Sequence, residues 1–142
     1  MMKTRELMLP RKDIHLLQEI ADAALMNGEN RSTMLCHLAR DLSHATPLDP
    51  DAIPQNLVTM ETKVRVHDEE EGEEQELTIV YPWETNYEEG WISVLAPSGL
   101  ALLGSREGET IEFETPAGQR RLKVMKIISQ PKIEPPEEGS AD

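Results

Sequence analysis

This chain of 142 residues is poor in cysteine, aromatic side chains, basic residues and long apolar runs. Its single cysteine, Cys36, excludes an intramolecular disulfide and suits a reducing compartment. No stretch approaches the roughly 20 apolar residues of a membrane-spanning helix, and the N-terminus lacks an apolar run of signal-peptide length. We therefore expect a soluble cytoplasmic protein that holds one domain, or a small domain with an appendage.

The shortage of basic residues limits the kinds of molecule that this protein can bind. The formal net charge is −13, and 20 of the 27 acidic residues lie after residue 50. Such a surface repels a phosphate backbone, so we expect no independent binding to DNA or RNA and no membrane association. A basic protein surface is the partner that this charge favours.

Signatures of catalysis and metal binding are also missing. None of Ser93, Ser98, Ser105 and Cys36 has the sequence context of an activated nucleophile, and no phosphate-cradling glycine loop occurs. His37 and His44 lie seven residues apart, a wider spacing than a zinc site uses, and are expected to be ordinary helix residues. The sequence thus predicts no catalytic residue, no metal site and no cofactor.

The spacing of the apolar residues divides the chain into two parts. Apolar residues recur at three- and four-residue steps from Pro10 to Leu25, and again from Leu35 to Ala45. Two such stripes with a short connection predict a short antiparallel helical hairpin within residues 1–50. The residues at its predicted tip are Asn27, Gly28, Glu29 and Asn30.

Beyond the proline-rich segment 46–54, which is typical of a linker, the period becomes two. The predicted strands cover residues 58–66, 77–81, 91–95, 111–114 and 122–128. They indicate a mainly antiparallel sheet domain over residues 51–131, with a hairpin turn at 115–118, and hence an α+β fold. Between Pro97 and Gly104 a short helix is predicted, with its leucines in the core. The acidic tail, residues 132–142, is predicted to be disordered.

A series of ordered motifs runs through this region. They are TIVYP (78–82), ISV (92–94), APSG (96–99), ALLG (101–104), GE (108–109) and PAG (116–118). Over about residues 55–130 they resemble the C-terminal domain of the Gre transcript-cleavage factors, which is FKBP-like. Within that superfamily, TIVYP, the VLAP form of the loop and the short hairpin are most similar to the regulators of nucleoside diphosphate kinase.

The resemblance implies a partner, bacterial RNA polymerase. In Gre factors the FKBP-like domain grips the rim helices of the largest subunit at the secondary channel, and a coiled coil projects toward the active site. The gripping loop, acidic-Ser-Pro in that family, corresponds here to Leu95, Ala96 and Pro97, followed by Ser98 and Gly99. The proline matches, whereas the acidic and serine positions do not.

The function implied is that of a monomeric polymerase-binding regulator without catalysis of its own. It would compete with Gre-type factors at the channel entrance without stimulating cleavage. Two alternatives stay open. One is a protein-binding module with another partner, including the kinase in the subfamily's name. The other is a prolyl isomerase, which the fold invites although aromatic residues to line a pocket are few.

Two further features have competing interpretations. The run from Asp68 to Glu76 has seven carboxylates in nine positions, and we predict a solvated hairpin loop rather than a cation site. Trp91 is predicted to lie inside the sheet domain. Trp83 is left as either a core residue or an anchor for a partner.

Overall fold

The computed structural model describes residues 7–26 and 33–131, and its architecture is α+β. Two helices near the N-terminus, α1 (Arg11–Met26) and α2 (Thr33–Ser43), contact each other as the predicted hairpin requires. A third helix, α3 (Pro97–Leu102), lies among the strands. The strands are β1 (Met8–Pro10), β2 (Thr46–Leu48), β3 (Lys63–Asp68), β4 (Glu73–Val80), β5 (Trp91–Ser93), β6 (Thr110–Thr115) and β7 (Gly118–Ser129).

The main sheet has five strands in the order β5-β4-β3-β7-β6. Three of its pairings are antiparallel, and β4 with β5 is parallel, so the prediction of a mainly antiparallel five-stranded sheet is confirmed. The hairpin turn between β6 and β7 is also confirmed. There the Thr115 hydroxyl accepts a hydrogen bond from the Ala117 N–H and donates one to the Gly118 carbonyl.

The first predicted strand differs from the observed one at its start. The alternation predicts a strand from Val58, whereas β3 begins at Lys63. The chain before β3 is buried but turns, since the Thr62 N–H donates to the Thr59 carbonyl and Glu61 has a left-handed φ of 63°. Apolar alternation alone does not distinguish a buried turn of this kind from a strand.

The predicted linker contains a strand. The segment β2 pairs in parallel with β1, and the Thr46 N–H donates to the Leu7 carbonyl at 2.9 Å. Leu7 and Leu9 are buried in the common core. The chain that connects the helices to the sheet is therefore held against the body of the protein rather than running free.

One hydrophobic core extends from the helices into the sheet. Leu17 and Leu42 from the hairpin belong to the same buried cluster as the sheet residues, and α2 contacts α3. The hairpin is thus anchored through its base, while Met26 at the far end of α1 is 86% exposed. A domain boundary near residue 50 stays a prediction. The tip residues 27–30 and the tail 132–142 lie outside the described residues.

Candidate protein-docking site

A sharp corner follows β5 at the edge of the main sheet, and it contains the predicted docking loop. The Ser93 hydroxyl accepts a hydrogen bond from the Leu95 N–H at 3.0 Å, and the Ser93 carbonyl accepts one from the Ala96 N–H at 3.0 Å. Both bonds reverse the chain within three residues. Ala96 then has an extended conformation and Pro97 opens α3, where its missing N–H costs no helical hydrogen bond.

Gly99 is the residue that lets α3 close onto this corner. A Cβ placed on it would lie 2.2 Å from the Ser93 carbonyl oxygen, far inside van der Waals contact. The leucines at the end of this segment are buried as well, which confirms the core prediction for Leu100, Leu102 and Leu103. The corner is therefore fixed by the packing of α3 against the rest of the fold.

The surface of the corner is small and apolar. Pro97 is exposed, Leu95, Ala96 and Ser98 are half-buried, and Gly99 is buried beneath them. No charged residue occurs between Trp91 and Leu103. Such a corner can contact a partner by burying apolar area, at about 25 cal/mol per Å², but it cannot attract one by charge.

Exposed aromatic side chains lie on the segment that leads into β5. Trp91 is 41% exposed, so its predicted place in the core is wrong. Ile92 on this edge strand and Val94 directly after it point inward, and the alternation then turns Trp91 outward. Trp83, which the sequence left open, is 69% exposed and stacks on the buried Tyr81, with ring centroids 5.2 Å apart and planes at 6°.

The acidic run is predicted to be a hairpin loop, but only residues 69–72 form the turn between β3 and β4. Its last part, from Glu73 on, belongs to β4, and its first residue, Asp68, ends β3 and is not solvated. Asp68 is 3% exposed and accepts hydrogen bonds from the N–H groups of Glu70 and Glu71 and from the Arg120 guanidinium. Burial opposes ionisation of Asp68. The Glu71 N–H, Arg120 and the Glu70 N–H outweigh it, and the pKa of Asp68 is lowered.

A second set of carboxylates, Asp13, Glu61 and Glu84, joins α1 to the sheet domain, and reasoning from the sequence missed it. Asp13 is 6% exposed, accepts a hydrogen bond from the Met60 N–H at 3.1 Å, and bonds to the Tyr81 hydroxyl. Burial raises the pKa of Asp13 to about 6, against the opposing effect of the Met60 hydrogen bond. The signal is present in the sequence, because Asp13 lies four residues before Leu17 on the apolar stripe of α1.

The remaining candidates do not come together. Among residues 7–26 and 33–131 no group of three or more His, Cys, Asp or Glu side chains is arranged to hold a metal ion. His15 faces Glu19 one turn along α1, and His44 lies beside Ser43. In the same part of the chain, no helix combines the length and apolar character needed to cross a membrane.

Comparison with known proteins agrees with this architecture. Residues 53–129 match the family model described as transcription elongation factor, GreA/GreB, C-terminal. The regulator of nucleoside diphosphate kinase from Escherichia coli (strain K12) is 36% identical over 95 residues, which cover 66% of this chain and 70% of that protein. Transcription elongation factor GreA from Syntrophobacter fumaroxidans is 35% identical over 99 residues, 70% of this chain and 62% of that one.

A solved structure extends the likeness beyond the sheet domain. The prokaryotic transcription elongation factor GreA/GreB from Nitrosomonas europaea superposes with a TM-score of 0.71 at 31% identity, over 87% of this chain and 98% of that one. The matched share includes the helices as well as the sheet, since it exceeds the span of the family model. The chain belongs to the GreA/GreB C-terminal-domain family.

Proposed function

We propose that this protein binds bacterial RNA polymerase at the entrance of the secondary channel, through the corner from Leu95 to Gly99. Membership of the GreA/GreB C-terminal-domain family is the observation that carries the proposal. The geometry supports it, because Pro97 is exposed on a corner held by Ser93 and by the close approach of Gly99. A loop fixed in this way loses little conformational entropy on docking.

We further propose that the protein does not stimulate transcript cleavage. Cleavage by Gre factors uses paired acidic residues at the hairpin tip, whose carboxylates help to hold a second magnesium ion. The sequence of the tip here, residues 27–30, offers Glu29 alone. Asp22 lies on α1 more than a turn before the helix ends at Met26, too far back to share a metal with it.

The length of the hairpin supports the same proposal. The 16 residues of α1 span about 24 Å at ~1.5 Å per residue, and α2 is shorter at 11 residues. Part of that length is used at the base, where Leu17 and Leu42 pack into the common core. Occupying the channel entrance would then exclude a Gre factor. At a concentration about tenfold above its dissociation constant the protein fills roughly nine-tenths of the free sites.

Direct binding to core RNA polymerase tests the docking proposal. Wild-type protein should bind, and Pro97→Ala should weaken binding while thermal unfolding changes little, because exposed loop substitutions usually cost less than about 0.5 kcal/mol. Pro116→Ala is the matched control, since Pro116 is also an exposed proline but lies in the β6–β7 turn. Equal affinity of wild type and Pro97→Ala would place the contact elsewhere, and absence of wild-type binding would reject the partner.

Arrested elongation complexes test the second proposal. The protein alone should leave the transcripts intact, and an excess should suppress cleavage by an added Gre factor. Shortened transcripts that depend on Glu29 would show that the protein is cleavage-competent. Simultaneous binding of both factors to one polymerase would rule out competition for the entrance.

A further inference from the structure

Three of the five aromatic residues of this chain are exposed, and all three lie between Pro82 and Trp91. Trp83 is 69% exposed, Tyr87 is 72% exposed and Trp91 is 41% exposed. The two buried aromatic residues, Tyr81 and Phe113, account for the aromatic part of the core. A protein with so few aromatic side chains gains nothing in stability from exposing most of them, and aromatic residues are enriched where proteins bind each other.

The backbone of this segment places the three aromatic residues along one edge of the sheet. Asn86 and Trp91 exchange two backbone hydrogen bonds, of 3.0 and 2.9 Å, and so close a small loop that carries Tyr87. The loop depends on Gly90, which has a left-handed φ of 79°. A Cβ at this position would lie only 2.6 Å from the Glu76 carbonyl oxygen. The turn that carries Trp83 contacts β5, which Trp91 opens.

Trp83 offers one free aromatic face. Its indole is stacked on Tyr81, and Tyr81 is itself buried and bonded to Asp13, so the inner face of the indole is covered by a side chain that the fold holds in place. The opposite face of the Trp83 indole accounts for the large exposure of this residue. A flat, fixed, outward π-face is the surface on which a guanidinium group stacks.

The charged residues of this segment all have one sign. Residues 82–91 contain Glu84, Glu88 and Glu89 and no lysine, arginine or histidine. Glu88 and Glu89 are exposed and lie between Tyr87 and Trp91 in the chain. This arrangement repels acidic partners and attracts a basic segment of a protein.

We propose that Trp83, Tyr87 and Trp91 form an aromatic docking patch for an arginine-bearing segment of the partner protein, with a guanidinium stacked on Trp83. The inference rests on the proposed function. The patch would supply the electrostatic attraction to the partner that the uncharged corner from Leu95 to Gly99 lacks. Trp91 and Leu95 stand four residues apart, at most about 13 Å along the chain, so a single interface of ordinary size covers the patch and the corner together.

Affinity for core RNA polymerase tests the patch. Trp83→Ala and Tyr87→Ala should each raise Kd by about tenfold or more, as the loss of an aromatic anchor does. Met125→Ala is the matched control, because Met125 is 40% exposed on β7, away from the patch, and it should leave Kd unchanged. Tyr87 has no aromatic stacking partner among the described residues, so its variant separates docking from any disturbance of the Tyr81 stack.

Two further variants test the chemistry of the partner. Trp83→Phe keeps an aromatic face and should bind nearly as well as wild type, whereas Trp83→Leu keeps apolar area without the π-face and should bind as weakly as Trp83→Ala. Glu88→Gln combined with Glu89→Gln should slow association and flatten its dependence on salt. A Trp83→Leu variant with wild-type affinity would overturn the stacked arginine.

The outcomes distinguish this inference from the function on which it rests. If wild type does not bind polymerase, the proposed function fails. If wild type binds, Pro97→Ala is weakened and both aromatic variants bind normally, the function stands and the patch is overturned. If wild type dimerises in sedimentation experiments and Trp83→Ala does not, the occupant is a second copy of this chain and the proposal is wrong.

Discussion

Asp13 and Asp68 are both buried aspartates, and they mark the two ends of β3. Asp68 is the last residue of that strand, and Asp13 reaches from α1 to the Met60 N–H just before the strand begins. Their exposures are similar, at 6% and 3%, and burial raises the pKa of both, but the net shifts are opposite. The pKa of Asp68 is lowered, whereas the pKa of Asp13 is raised to about 6.

The difference lies in what surrounds each carboxylate. Asp68 receives two backbone N–H groups and a guanidinium, which stabilise its charged form. For Asp13 burial is the largest effect and raises the pKa, and the charge of the Glu61 carboxylate raises it further. The Met60 N–H, the Lys12 charge and the Tyr81 hydroxyl lower the pKa of Asp13 but do not outweigh burial. Burial alone therefore does not decide the charge of an aspartate; the number and sign of its partners does.

The same contrast separates the roles of the two regions. At the Asp68 end, Arg120 and Arg121 face the acidic turn and neutralise part of a strongly negative loop. At the Asp13 end, a carboxylate, a tyrosine and a backbone N–H connect the hairpin to the sheet. We therefore expect removal of the Asp68 charge to lower the stability of the protein and removal of the Asp13 charge to raise it.

The largest effect is expected for Asp68→Ala. The substitution removes the acceptor of two turn N–H groups and the nearest carboxylate partner of Arg120, and each buried group left unsatisfied costs about 1–3 kcal/mol. Chemical denaturation at pH 7 measures the loss. Glu71→Gln, an exposed change in the same turn, should leave stability nearly unchanged. Equal stability of the two variants would show that Asp68 is not a structural charge.

Asp13→Asn should act in the opposite direction. Because the pKa of Asp13 is about 6 in the folded protein, against an ordinary value of 3.8, the folded state retains a proton that the unfolded chain releases between about pH 4 and pH 6. Stability of the wild type therefore falls as pH rises through that window. The raised pKa corresponds to a cost of up to about 3 kcal/mol at pH 7. The amide of Asn keeps an acceptor for Met60 without ionising.

Denaturation of wild type and Asp13→Asn at pH 4 and pH 7 measures this effect. The variant should be the more stable at pH 7, and the difference should shrink toward pH 4. Asp22→Asn, on the exposed side of the same helix, is the control and should follow the wild-type profile. A variant that is less stable than wild type at pH 7 would mean that the charged form of Asp13 is the one the fold requires.

The periodic parts of this fold could be predicted from the sequence, and the parts that depend on distant partners could not. The helix α1 and the strands β6 and β7 are long enough for their period to identify them within a few residues. The strands β1 and β2 have three residues each and exist because they pair with each other, a contact between segments almost 40 residues apart. No local pattern encodes that pairing.

The candidate site shows the same limit. The residues of the corner are identified by family resemblance, but the contact between Gly99 and the Ser93 carbonyl is a distance that only the folded chain supplies. The scarcity of aromatic residues favours burial of Trp91, and for this residue that inference fails. The alternation of Ile92 and Val94 already assigns the inward positions of β5 and is the better guide.

A smaller gain is expected for Glu61→Asn, beside the Asp13 cluster. Glu61 has a φ of 63°, a left-handed conformation that Asn adopts more readily than Glu, and its pKa is raised by desolvation and by Glu84. Relief of the backbone should stabilise the protein by about 0.5–1 kcal/mol. Glu61→Gln separates the two causes, since it removes the charge but keeps the backbone strain. If the two variants are equally stable, the strain contributes nothing.

The smallest effect is expected for Glu76→Gln, and it tests the comparison most directly. The pKa of Glu76 is lowered by the Arg65 hydrogen bond and, with smaller effect, by Lys63, so in direction it resembles Asp68. These side chains are more than 40% exposed, however, and water screens the pair and solvates each group when the other is removed. The Tm of Glu76→Gln should therefore lie only slightly below that of wild type. An NMR titration of the wild-type Glu76 carboxyl should nevertheless give a pKa below its ordinary value.

A clear loss of stability in Glu76→Gln would show that ion pairing stabilises this sheet even where the partners are exposed. The burial of the Asp68 carboxylate among its hydrogen-bond donors would then not be the reason why Asp68 stabilises the fold more than Glu76 does.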